Sequence, residues 1–112
     1  MPTHLSEDLR NAIISISSSG DNTVIAAPTD GFIAIDHINL VNNSAVDVTF
    51  KSNTTALSGT YPLAEKQPIT LENTMHNFKG VITCARNEAF VINLGSGVQV
   101  SGFVRYRVVG NS

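Results

Sequence analysis

Hydrophobic and polar residues along this chain fall into short runs separated by clusters of Gly, Asn, Asp, Ser and Pro. The clearest alternation is Val46–Ser52, where Val46, Val48 and Phe50 take turns with Asp47, Thr49 and Lys51. A period of two predicts a strand with one face on a core and the other in water. The preceding run, Phe32–Val41, is richer in isoleucine and changes phase. Ile33 and Ile35 share one parity and Ile38 and Leu40 the other, so the slip falls at Asp36-His37. A β-bulge produces such a slip, and burial of both faces is the competing explanation. Asn42-Asn43-Ser44 between these two runs is a hairpin-like turn.

The same reading places further strands at Ala12–Ser17, Thr23–Ala27, Ile69–Leu71, Phe78–Cys84, Ala89–Leu94 and Val98–Val109. In the last strand Val98, Val100, Val104, Tyr106 and Val108 form one face, and Gln99, Ser101, Arg105 and Arg107 the other. Gly102 inside it signals a bulge or a close backbone approach. The total is about eight short strands with turn signals every ten or so residues. The expected fold is therefore all-β, a jelly-roll-like β-sandwich of antiparallel strands forming a single domain over residues 12–112. Residues 1–11 differ from the rest and are expected to form an N-terminal arm. Within it Ser6 is placed to cap a helical turn that sets Leu5 and Leu9 on one face, and an unstructured terminus is the alternative.

Composition changes this picture in one respect. Charged residues make up only 14% of the 112 positions and the mean hydropathy is +0.09, against roughly 25% charged residues in typical soluble chains. Two explanations are open: an oligomer that buries part of each protomer's surface, or polarity supplied by Ser, Thr and Asn. The net charge of −2 and the lack of a basic stripe leave no electrostatic footprint for nucleic acid. No apolar run is long enough to span a bilayer, and the polar, acidic N-terminus does not read as a signal peptide. The one cysteine, Cys84, excludes an internal disulfide and reads as a small buried hydrophobe, consistent with synthesis in a reducing cytoplasm.

Candidate chemistry is sparse. His4, His37 and His76 lack metal-ligand spacing, and Asp21-Asn22 and Asp30-Gly31 lack the further carboxylates of a calcium cage. Asp36-His37 suggests part of a Ser/His/Asp arrangement, but there is no nucleophile elbow, and mid-strand neighbours are expected to point to opposite faces. Neither catalytic residues nor a cofactor are expected, and the chain does not read as an enzyme. Asn42-Asn43-Ser44 and Asn53-Thr54-Thr55 match the glycosylation sequon and read as ordinary turns. Phe32, Phe50, Phe78, Phe90 and Phe103 all fall in expected strands and read mostly as core. That leaves Tyr61 as the aromatic free to meet a sugar. Arg105 and Arg107 can bind a carboxylate or pair across strands, the second being preferred.

Three passages resemble a known family. They are Ser19-Gly20-Asp21-Asn22-Thr23-Val24-Ile25-Ala26-Ala27; then Val48-Thr49-Phe50-Lys51-Ser52 running on to Thr55-Ala56-Leu57-Ser58-Gly59 and Pro62-Leu63-Ala64; and Asn93-Leu94 through Val98-Gln99-Val100-Ser101-Gly102. In order and spacing they resemble the small jelly-roll capsid decoration, or cement, proteins of tailed bacteriophages, over roughly residues 18–109. The chain departs from that pattern in its N-terminal arm and at Glu65-Lys66-Gln67-Pro68, where a small glycine-rich link is expected.

The resemblance implies a non-enzymatic structural protein of the virion. It would be made in the host cytoplasm and carried on the outer capsid surface, where a homotrimer bridges subunits of the major capsid protein. It supplies no catalytic residues and does not fix which surface meets the capsid. Leu5 and Leu9 of the arm are the expected capsid contact, and Tyr61 and Phe103 the expected contact between subunits. The alternative is a tail- or fibre-associated module that binds host-surface glycans at a shallow site involving Tyr61 or Arg105.

Overall fold

The computed structural model describes residues 9–73 and 80–110. Ten strands build it: β1 (Arg10–Ile16), β2 (Gly20–Ile25), β3 (Gly31–Asn42), β4 (Val46–Ser52), β5 (Thr55–Ala56), β6 (Tyr61–Leu63), β7 (Ile69–Glu72), β8 (Ile82–Thr83), β9 (Phe90–Leu94) and β10 (Val100–Gly110). They form two five-stranded antiparallel sheets, the first ordered β1-β10-β3-β7 with β8 also on β3, the second β2-β9-β4-β5 with β6 also on β4. β7 and β8 pair with successive parts of β3, and β5 and β6 with opposite ends of β4. Each pair is thus one interrupted edge strand. Counted that way the sandwich has about eight strands, their path crossing between the sheets as in a jelly roll.

The expected strand positions hold with shifted ends. β1 starts at Arg10, and Arg10 and Asn11, counted with the arm from sequence, pair with Tyr106 and Arg105 of β10. Residues 1–8 lie outside the described residues. The helical turn expected around Ser6, with Leu5, lies outside the described residues. β2 begins at Gly20, whose φ of +94° suits a residue without a Cβ. Of the strand expected at Phe78–Cys84, the described part is strand only at Ile82–Thr83.

The phase slip in β3 is a bulge. His37 faces Arg105 and Ile35 faces Tyr106, leaving Asp36 as the additional residue. Ile33, Ile35, Ile38 and Leu40 consequently all point inward and are fully buried. Across from them stand Val48 and Phe50 of β4 and Phe90, Ile92 and Leu94 of β9. The rings of Phe50 and Phe90 stack with centroids 6.1 Å apart. Gly102 marks a close backbone approach: a Cβ there would lie 1.8 Å from the Asn39 carbonyl oxygen, and the ladder is unshifted at that point.

Polar side chains hold the connections. Buried Asn42 donates from Nδ2 to the carbonyls of Ser44 and Ala64, both at 2.6 Å, and its Oδ1 accepts from the Gln67 amide at 3.0 Å. This clamp holds the turn at Lys66, which sits at φ +55°. The Ser52 hydroxyl, also buried, donates to Glu88 at 2.6 Å and accepts from the Ala85 amide at 3.0 Å.

Candidate functional site

The two sheets present different outer faces. On the second sheet the outward positions satisfy one another. Asp21 accepts from Lys51 Nζ at 3.0 Å and from Asn93 Nδ2 at 2.7 Å, and Thr49 and Thr60 hydroxyls meet at 2.9 Å. These contacts hold the Asp21 carboxyl below its usual range, the Asn93 hydrogen bond first and Lys51 next.

The outer face of the first sheet is more apolar. Residues directly opposite in a ladder share a face, so Ile13, Phe103, Asn39 and Thr70 form one cross-strand row. Asn11, Arg105, His37 and Glu72 form the next. Ile13 is 76% exposed, the highest value for any large hydrophobic side chain described, and Leu9 and Val41 are also exposed.

A groove of about 370 Å³ opens on this face, lined by Leu9, Asp36, His37, Glu72, Asn73, Phe103 and Arg105. The bulge makes it. By simple alternation Asp36 and His37 point to opposite faces, but the additional residue turns both toward the groove, which corrects the expectation from sequence. Asp36 Oδ1 accepts from Arg107 Nη2 at 2.7 Å and from Asn73 Nδ2 at 2.9 Å, so the carboxylate is pinned. The His37 ring stacks on Phe103 with centroids 5.4 Å apart and 11° between planes. The Arg105 guanidinium carbon lies 6.0 Å from the Phe103 centroid, within cation–π range.

No hydroxyl or thiol lines the groove among its described residues. Among the described residues no cluster of three or more His, Cys, Asp or Glu could hold a metal. Cys84 is buried beneath the first sheet, and burial pushes its thiol up to about 11 from 9.0. No helix among the described residues is long and apolar enough to cross a membrane.

The expected contact residues do not gather in one place. Leu9 and Phe103 share the groove. Tyr61 sits on the second sheet, its ring 5.7 Å from that of Phe50 and 37% of the residue exposed. Leu5, His4, His76 and Phe78 lie outside the described residues. The expectation that the phenylalanines are mostly core holds for Phe50 and Phe90, whereas Phe32 and Phe103 are half-buried. Arg107 pairs across strands with Asp36, as preferred from the sequence, while Arg105 packs by the aromatic ring instead. Ile13 and Val41 were not legible as surface features. Only strand order, which brings β1, β10, β3 and β7 side by side, reveals them.

Comparison with protein-family models, with curated proteins and with solved structures finds no match for this chain.

Proposed function

We propose that this chain is a structural virion protein that decorates and stabilises a bacteriophage capsid, bridging major capsid protein subunits as a homotrimer. The observation that carries the reading is the contrast between the two outer faces. One is closed on itself by hydrogen bonds, and the other offers Leu9, Ile13, Val41 and Phe103 to a partner. Exposed apolar residues gathered on one sheet face mark an interaction surface. The motifs that resemble decoration proteins support it as well, and they form β2, β4 and the β9–β10 corner of a jelly roll.

A threefold ring joins unlike patches, because each contact is heterologous. Tyr61 of one copy and Phe103 of the next can therefore meet even though one protomer carries them on opposite sheets. The capsid contact falls to the arm with Leu5 and to Leu9, which leads from it into β1. The mechanism is mechanical: each trimer adds contact area between neighbouring capsid subunits and slows their separation, and three weak contacts act together once the first is made.

Quantitative mass spectrometry of purified virions tests this reading. A copy number approaching that of the major capsid protein is expected, and absence from the virion refutes it. The double variant Leu5→Ser, Leu9→Ser should remain folded and lose head binding; unchanged binding removes the arm from the mechanism.

A second reading, a tail or fibre module for host glycans, is favoured by the groove itself. Stacked His37 and Phe103 stand beside Arg105, Glu72 and Asn73, the combination of flat ring and polar edge that a pyranose uses. A few copies per virion, together with glycan binding lost in Arg105→Ala, would select it.

A further inference from the structure

The four sheet edges are not alike. The edge made of β7 and β8 is broken into pieces of four and two residues. That made of β5 and β6 is broken into two and three residues and carries Pro62. β2 is distorted by a register shift between Thr23 and Ile25, and Asp21 on it is tied to Lys51 and Asn93. Short pieces, proline, bulges and fixed charges are the devices that keep an edge from pairing with another chain. β1 has one charge, Arg10 at its first position, and none of the other devices. It runs seven residues in unbroken register with β10, pairs with no other described strand, and carries Ile13 at its midpoint with 76% of the residue exposed.

We infer that the free edge of β1 is a contact between two copies of this chain, which pair antiparallel across a two-fold axis at Ile13 and join their first sheets into one. The five central residues of the strand, Asn11 to Ser15, match their own reverse in polarity. Centred on Ile13, antiparallel pairing sets Asn11 against Ser15 on the outer face and Ala12 against Ile14 on the core face. Ile13 meets its own copy, and Arg10 meets Ile16. In/out alternation must match across the joint, and this is the register that meets that condition while pairing all seven residues. Charge selects the direction. Arg10 is the one charged residue in β1. Antiparallel pairing holds the two Arg10 residues roughly 20 Å apart at 3.3 Å per residue, whereas parallel pairing sets them side by side at about 5 Å. An unrelated strand would gain the same backbone hydrogen bonds, but nothing in it would account for the symmetry of β1 about its exposed isoleucine.

This contact does not depend on what the chain coats. Combined with a threefold contact elsewhere on the protomer, a two-fold joint propagates over a surface, which suits a shell.

The test uses the full chain in sedimentation velocity and light scattering across a concentration series. Wild type should show an association step of even stoichiometry, either a dimer or two trimers joined. Ile13→Lys places two ammonium groups face to face across the axis and should weaken that step at least 10-fold, with an unchanged melting temperature at concentrations below the association step, where the side chain is exposed. Ile13→Cys should form an intermolecular disulfide under mild oxidation, since Cβ atoms of directly opposed residues lie about 4.5–5.5 Å apart. Thr70→Cys, exposed on the opposite edge of the same sheet, should not. Three results would each overturn the inference: a wild type that never shows the even step, an even step indifferent to Ile13→Lys, or an Ile13→Cys variant that links to some other polypeptide and never to its own copy.

Discussion

Replacing Gly102 by alanine tests the packing of the first sheet at its tightest point. A Cβ built there would lie 1.8 Å from the Asn39 carbonyl oxygen and 2.7 Å from the Leu40 Cα, both backbone atoms of the paired strand β3. Neither can turn away as a side chain can. Relief to an ordinary contact of about 3.5 Å requires β10 and β3 to part by more than an ångström locally. That stretches the ladder bonds on either side of the pair, worth about 1 kcal/mol each, and adds overpacking strain of about 1–3 kcal/mol. The expected loss is about 3 kcal/mol. For 112 residues the unfolding entropy is about 0.24 kcal/mol/K, so the melting temperature should fall by about 13 °C. Gly59→Ala is the control, because a Cβ there meets nothing within 4 Å and its φ is not positive. Thermal unfolding followed by circular dichroism, with urea melts for the free energy, compares the two variants. If Gly102→Ala melts within two degrees of Gly59→Ala, steric contact is not what keeps position 102 glycine.

Asn42→Asp keeps shape and removes the donor, so a carboxylate would face the Ser44 and Ala64 carbonyls at 2.6 Å. A loss of about 3 kcal/mol at neutral pH is expected in urea melts, shrinking at acid pH where the new carboxyl is protonated and can donate again. Cys84 supplies a prediction above neutrality: its thiol is raised to about 11 in the fold from 9.0. At pH 9 about half of the unfolded thiols but about 1% of the folded ones are ionised, so alkylation of native protein should be roughly 50-fold slower than in urea. The unfolded state loses its proton first, so the contribution of this group to stability is complete below pH 9 and declines up to pH 11. That decline should vanish in Cys84→Ala.

Periodicity made most strands legible, because inward and outward positions leave their mark on every second residue. Phe90, Ile92 and Leu94 are core by that rule, and they are buried. Phe103 shows what happens when residue type is weighed above parity. It falls on the same alternation as Ser101 and Arg105, and it does stand on that outer face, half-buried under His37. Lys66 was illegible for a different reason. A left-handed residue in a turn normally announces itself as Gly or Asn, but here Asn42, distant in sequence, hydrogen-bonds the Lys66 and Gln67 amides and holds the turn from outside. Lys66 thus takes a left-handed backbone conformation, φ +55°, that ordinarily favours glycine. The groove was illegible because its rows are assembled from four strands whose order in the sheet is set by long-range pairing.

The bulge at Asp36 ties the core and the groove to one cause. A regular β3 could bury Ile33 and Ile35 or Ile38 and Leu40, but not all four, since strict alternation sends the two pairs to opposite faces. One additional residue reverses the phase between them, and all four reach zero exposure. That residue has no partner in β10, although its carbonyl accepts from the Asn73 amide at 2.9 Å. Its side chain is therefore left over, and in this chain it is a carboxylate, placed where Arg107 is 6% exposed. A buried guanidinium needs an anion close by, and Asp36 meets it at 2.7 Å. The same reversal turns His37 outward, opposite Arg105 and Glu72 and against Phe103. The polar half of the groove is thus a consequence of packing four β-branched and leucine side chains into one core. Whatever meets this face of the sandwich meets residues whose positions are fixed from the inside.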